Sequence, residues 1–134
     1  MSVLHLTVIM PNDKKYDDFV DRAILPGIEG DFEVLEGHTA LITQLRPGTL
    51  KAYKDHEHII LAMHDGFVTV EDNKIIILSE CCEKRKDINQ ERAVAAKKRA
   101  EERMADLTNS KIDFRRAEMA LKRAITRIDT LKYE

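Results

Sequence analysis

Tryptophan is absent from the 134 residues, cysteine occurs twice, proline three times and glycine five times. The two cysteines, Cys81 and Cys82, are adjacent and can bridge only through a strained ring. That excludes a disulfide framework and reads as reduced thiols at a strand end, with a redox switch or metal site as the alternative. No histidine or cysteine set has metal-ligand spacing, since His5, His38, His56, His58 and His64 are scattered, so no metal is expected. No apolar run approaches the roughly 20 residues that cross a bilayer. The opening stretch MSVLHLTVIMP lacks the basic flank and small-residue cleavage site of a signal peptide, so a cytoplasmic location is expected. No nucleophile–base pair, recognisable carboxylate pair or phosphate-cradling glycine loop occurs, and intrinsic catalysis is not expected.

What is there suits a soluble folded chain. It is 43% hydrophobic and 34% charged, outside the disordered and fibrous ranges. Its length allows one domain with a modest core, or a smaller domain with an appendage. The net charge of −2 conceals a split: residues 1–82 carry 7 Lys and Arg against 14 Asp and Glu, residues 83–134 carry 15 against 10. An acidic piece is joined to a basic one.

Hydropathy divides the chain at nearly the same place. Up to about residue 80 the period is two: Leu4, Leu6 and Val8 alternate with His5 and Thr7, and Ile59, Leu61 and Met63 share one parity. Phe67, Val68 and Val70 precede the turn EDNK and IIILS follows it, which predicts a hairpin. Gly and Pro punctuate this half at intervals suited to short strands, so a sandwich or barrel is expected. Beyond Glu83 there is neither Gly nor Pro, and the period becomes helical. Asp87 with Gln90, and Ser110 with Asp113, resemble capping boxes that start two helices of about 20 residues, with LTNS as the turn between them. Ala93, Ala96, Ala100 and Leu107 line one helix; Ala117, Leu121, Ala124, Ile128 and Leu131 line the other. An antiparallel hairpin with a narrow alanine seam follows. Such a seam buries little area, at roughly 0.8 kcal/mol per methylene-sized group, so the hairpin is expected to be only conditionally closed.

The two helices repeat one spacing. At an offset of 24, Ile88, Arg92, Ala93, Ala96, Arg99, Ala100 and Arg103 align with Ile112, Arg116, Ala117, Ala120, Arg123, Ala124 and Arg127. A hairpin turning near residue 109 brings Arg92 opposite Arg127 and Arg103 opposite Arg116, with Arg99 within a turn of Arg123. Clustered guanidiniums either form a solvated basic face or bind an anion such as phosphate through bidentate forks. Nucleic acid is disfavoured, because the strand half is acidic and has no basic stripe.

The stretches GDFEVLEGHTALITQLRPGTLK and DGFVTVEDNKIIILSE resemble the two signature regions of the epsilon subunit of F-type ATP synthases. They carry a glycine-started loop ending in Gly37-His38, then Leu45-x-Pro47-Gly48, then Gly66-Phe67-x-x-Val70 before an Asn73-Lys74 turn. The resemblance runs essentially the whole length. It implies a β-plus-α protein: a sandwich of about ten antiparallel strands over residues 1–85, binding the gamma subunit and the c-ring, then a regulatory two-helix hairpin over 86–134. It implies a non-catalytic central-stalk rotor subunit, coupling the alpha/beta catalytic head to the c-ring and inhibiting ATP hydrolysis through its helices. The complex translocates protons or sodium ions, and this subunit is peripheral on the cytoplasmic face of the cell inner membrane. The alternative, from another class, is a stand-alone nucleotide-binding sensor.

The resemblance also implies site residues. No cofactor is required, but some bacterial members bind ATP in the folded hairpin through an Ile-Asp-x-x-Arg-Ala motif. Carried over by position, the ATP set is Glu83, Ile88, Asn89, Arg92, Ala93, Arg99, Arg123 and Arg127. Asn89 departs from the motif's Asp, and loss of a charged acceptor costs roughly 1–2 kcal/mol where a contact needs one. The expected partner-binding residues are Asp31, Phe32, Gly37 and His38, in a loop where Phe32, Glu33 and Glu36 depart from the family's Leu, second Gly and Pro. His38 fits either direct partner contact or a turn histidine that fixes the local backbone.

Overall fold

The computed structural model describes residues 3–106 and 111–133, without the side chains at 111 and 112. The first ten elements are strands: β1 (Leu4–Met10), β2 (Asp13–Val20), β3 (Arg22–Gly27), β4 (Gly30–Val34), β5 (Leu41–Gln44), β6 (Gly48–Lys54), β7 (Glu57–Met63), β8 (Phe67–Glu71), β9 (Lys74–Leu78) and β10 (Cys82–Lys84). They form two five-stranded sheets, ordered β2-β1-β9-β8-β5 and β10-β7-β6-β3-β4. All pairings are antiparallel except β1 with β9. The expected hairpin is β8–β9: Phe67 faces Leu78 across the ladder, and Asp72 and Asn73 both have positive φ, at 50° and 62°. Two left-handed residues in a two-residue loop match the strand twist.

The alternation of β1 puts Leu4, Leu6 and Val8 between the sheets, where they meet Leu25, Leu50, Leu61, Met63, Ile75 and Ile77 in one buried cluster. Strand β7 breaks the expected parity. Ile60 and Ala62 are buried like Leu61 and Met63, at 7% and 0% exposure, yet lie outside that cluster. Both faces of β7 are covered, one by the core and the other by a helix.

That helix is α2 (Lys111–Leu131), which packs on α1 (Gln90–Ala105) and also against β6 and β7. Ala93, Ala100, Ala117 and Ala124 are the buried residues of the expected seam. Thr126 and Thr130 form a second buried stripe on α2 that the sequence reading did not anticipate. The helix start also differs from expectation. Asp87 closes a short 3-10 turn (Arg85–Asp87), and Asn89 is the N-cap of α1, its Oδ1 accepting the Arg92 N–H at 2.9 Å. Asn is as good a cap as Asp, and two residues nearer the helix it reaches the third amide where Asp87 cannot. Ser110 of the expected Ser110–Asp113 cap, the LTNS turn and Leu107 fall outside the described residues, while Asp113 lies in the first turn of α2.

Candidate functional site: the corner between sandwich and hairpin

Residues 83–93 turn the chain from β10 into α1, and α2 returns over the same corner. Glu83 sits here because β10 pairs with β7, placing it level with Ala62. Its Oε1 accepts Arg127 Nε at 2.6 Å and lies 2.9 Å from His64 Nε2. Burial pushes the Glu83 carboxyl upward, but the bonds from Arg127 and His64 outweigh it and hold the group below its ordinary value. Its negative charge is therefore secure near neutrality.

The other expected ATP residues have separate placements. Asn89 is committed to the cap and Ala93 to the seam. Ile88 is half-buried, Arg92 and Arg99 are exposed, and Arg123 is half-buried. Arg92, Arg99, Arg116 and Arg123 each precede a buried alanine by one position, so all four flank the seam on the same side. In an antiparallel pair that is one common edge, and on α2 it turns toward the sandwich. At Glu83 itself the structure places Arg127, with Arg123 at the adjoining cavity wall; Arg92 and Arg99 stay exposed along the α1 side of the edge.

Two further links tie α2 to the sandwich. Thr49 Oγ1 and Thr130 Oγ1 are 2.9 Å apart, and Lys51 Nζ lies 4.3 Å above the Tyr133 ring. Next to Thr49, Gly48 lets β6 pack against β3, since a Cβ there would stand 2.7 Å from the Pro26 Cβ. Between sandwich and α2 remains a cavity of about 260 Å³ lined by His64, Cys81, Met119, Lys122 and Arg123 among others. His64 and Thr130 were missed from sequence: a single histidine after an apolar strand and a threonine in a helix carry no spacing signal. Burial raises both thiols, that of Cys82 to about 11, and among the described residues no group of three His, Cys, Asp or Glu could hold a metal.

The expected partner-binding residues lie elsewhere, along β4 and the loop after it. Asp31 Oδ1 accepts Arg46 Nη2 at 2.7 Å, and Glu33 pairs with Arg22 at 3.1 Å, so two of the loop's acids have internal partners. Phe32 packs against the core. Gly37, at φ 81°, donates its N–H to Asn73 Oδ1 at 2.7 Å; the left-handed backbone suits glycine. The His38 Nδ1 lies 2.6 Å from the Thr39 carbonyl. The structure thus gives His38 a local backbone role.

Fold and corner define a β-sandwich followed by a docked two-helix arm. A family model for the ATP synthase delta/epsilon chain β-sandwich domain matches residues 3–85, and one for the long alpha-helix domain matches residues 86–132. Among curated relatives, the ATP synthase epsilon chain of Halalkalibacterium halodurans is 37% identical over 129 residues, covering 96% of this chain and 97% of that one. The ATP synthase epsilon chain of Nitratidesulfovibrio vulgaris is 39% identical, covering 93% and 92%. A chain of the Euglena gracilis mitochondrial ATP synthase shares the fold with a TM-score of 0.80 at 21% identity, covering 90% of this chain and 76% of that one. A chain of the Tetrahymena thermophila mitochondrial central stalk and c-ring does so at 0.66 and 18% identity, covering 95% of each. The chain belongs to the epsilon-chain family of F-type ATP synthases, a family of non-catalytic stalk subunits.

Proposed function

We propose that the chain is a rotor subunit that binds the gamma subunit and c-ring through its sandwich and restrains ATP hydrolysis through its helical arm, with ATP favouring the docked arm. One observation carries this reading: α2 rests on the sandwich over a small apolar patch, Ile60 and Ala62, and a few polar contacts, while the main apolar cluster lies between the sheets. An arm attached in this way can leave without unfolding its base. Differences of a few kcal/mol between docked and extended states are within a ligand's reach.

The outer face of the other sheet supports a partner surface for the sandwich. Phe67 and Leu78, 59% and 56% exposed, are cross-strand neighbours on its outer face, and Ile42 and Ile76 flank Thr69 on the same face. Isolated apolar residues are ordinary on a surface, but a contiguous row marks an interaction site. We assign this face, with the loop through Gly37 and His38 at its far end, to gamma. The cationic edge supports ATP binding, because guanidinium forks hold phosphate oxygens, and a ligand that binds only the docked arm stabilises it by mass action. The subunit is peripheral to the membrane in this reading, and no described helix is long and apolar enough to cross one.

The test adds the chain to the matching catalytic head lacking it. Hydrolysis falls with the full chain and not with a chain ending at Lys86. Equal hydrolysis in both cases removes the inhibitory role.

A further inference from the structure

His64 follows β7, and its side chain is 4% exposed. Its Nε2 faces Glu83 Oε1 at 2.9 Å, and its Nδ1 is buried with no hydrogen-bond partner among the described residues. The same Oε1 receives Arg127 Nε at 2.6 Å. One carboxylate oxygen therefore serves a cation of the arm and an imidazole of the sandwich at once.

Charged groups approach His64 from β10, from α2 and from the β9–β10 turn. From β10, Glu83 favours an imidazolium. From α2, Arg123 and Arg127 oppose it, and Lys122 lines the same cavity. From the β9–β10 turn come Glu80 and Cys81: the Cys81 thiol is raised by burial and stays neutral, and exposed Glu80 stands at the cavity wall. Asp65 is engaged by the Ser79 hydroxyl and the Glu80 and Cys81 amides. Burial, joined by the two arginines, outweighs Glu83 and holds His64 below the ordinary 6.5.

Lifting α2 away changes each of these in one direction. Water reaches the imidazole, the α2 cations depart, and Glu83 is left with His64 as its remaining partner. We propose that His64 is the proton-operated release of the arm: neutral, it shares Glu83 with Arg127 and α2 stays docked; protonated, its second N–H finds no acceptor in the closed pocket and its charge faces the α2 cations, so α2 leaves and Glu83 passes to the imidazolium.

The sign follows from linkage. The undocked state binds the proton more tightly, so docking is complete above the ordinary histidine range and is lost as pH falls below it toward the depressed value of the docked state. One proton changes the docked-to-undocked ratio by at most about tenfold per pH unit. Glu83, held below its ordinary value, remains ionised through that window. The linkage belongs to the isolated chain and needs neither ATP nor the catalytic head.

The experiment follows the imidazole signals of His64 and the amide signals of Thr126 and Thr130 by NMR from pH 8 to pH 5. It compares the wild type with His64→Gln, which keeps a donor for Glu83 but cannot take a proton, and with Arg127→Gln. The wild-type threonine signals should move with the His64 midpoint, His64→Gln should abolish that movement, and Arg127→Gln should raise the His64 midpoint. Threonine signals that are flat in the wild type, or that titrate equally in His64→Gln, overturn the proposal. So does a His64 midpoint that Arg127→Gln leaves where it was.

Discussion

Thr49 on β6 and Thr130 in the last turn of α2 are 81 positions apart in sequence, yet their hydroxyl oxygens lie 2.9 Å apart. Thr130 also donates to the Thr126 carbonyl at 2.8 Å, so in that arrangement the Thr49 hydroxyl donates to Thr130. The contact fixes the free end of the arm against the sandwich, while Arg127 and Glu83 fix it one turn earlier. The apolar patch beneath α2 is small, Ile60 and Ala62 on β7, so these polar bonds give the dock its direction and exchanging their partners weakens it.

Thr130→Val removes the inter-element bond at nearly constant volume. A neutral hydrogen bond contributes about 1 kcal/mol net, so the docked-to-undocked ratio should fall several-fold while the melting temperature of the sandwich holds. Hydrogen exchange of the α2 amides, read beside that of β6 and β7, checks both halves.

Arg127→Ala acts at the charge-assisted bond. A charged hydrogen bond contributes roughly 1.5–3 kcal/mol, and its loss should open the arm more than Thr130→Val does. Calorimetric titration with ATP should show weakened binding in Arg127→Ala and in Arg92→Ala.

Asn89→Ala tests the cap. Loss of its bond to the Arg92 amide should cost about 1 kcal/mol of α1 stability, whereas Asn89→Asp should be close to neutral. Helicity by circular dichroism and amide exchange at Arg92 decide the matter. A large loss in Asn89→Asp would contradict the capping role.

Much of this architecture was written in the sequence, and what was missed has a common cause. The strands β1, β8 and β9 show because each has one wet face, so Leu4, Leu6 and Val8 alternate with polar neighbours. Strand β7 hides its parity because α2 covers the outer face, so Ile60 and Ala62 are buried along with Leu61. The alanine seam was legible from its spacing of threes and fours. The dock was not, since Thr126, Thr130 and His64 meet through tertiary packing that no periodicity encodes. The start of α1 was misplaced by two residues because Asp87 and Asn89 are both capping types, and only the backbone path decides between them.

The outer face of β8 and β9 gives a prediction about partners. Phe67→Glu should leave the fold within about 0.5 kcal/mol of the wild type, since the side chain is mostly in water, but should abolish co-purification with gamma. Retained binding would move the interface elsewhere.

The central claim is that the arm must leave the sandwich to restrain the catalytic head. It is tested by locking the dock with a disulfide in the Thr49→Cys, Thr130→Cys double variant, carried on Cys81→Ser so that the half-buried native thiol cannot compete. Hydrolysis by a head reconstituted with this chain should be uninhibited when the bridge is oxidised and inhibited again on reduction. Equal inhibition in both redox states would show that the arm acts without undocking, and the account would be wrong.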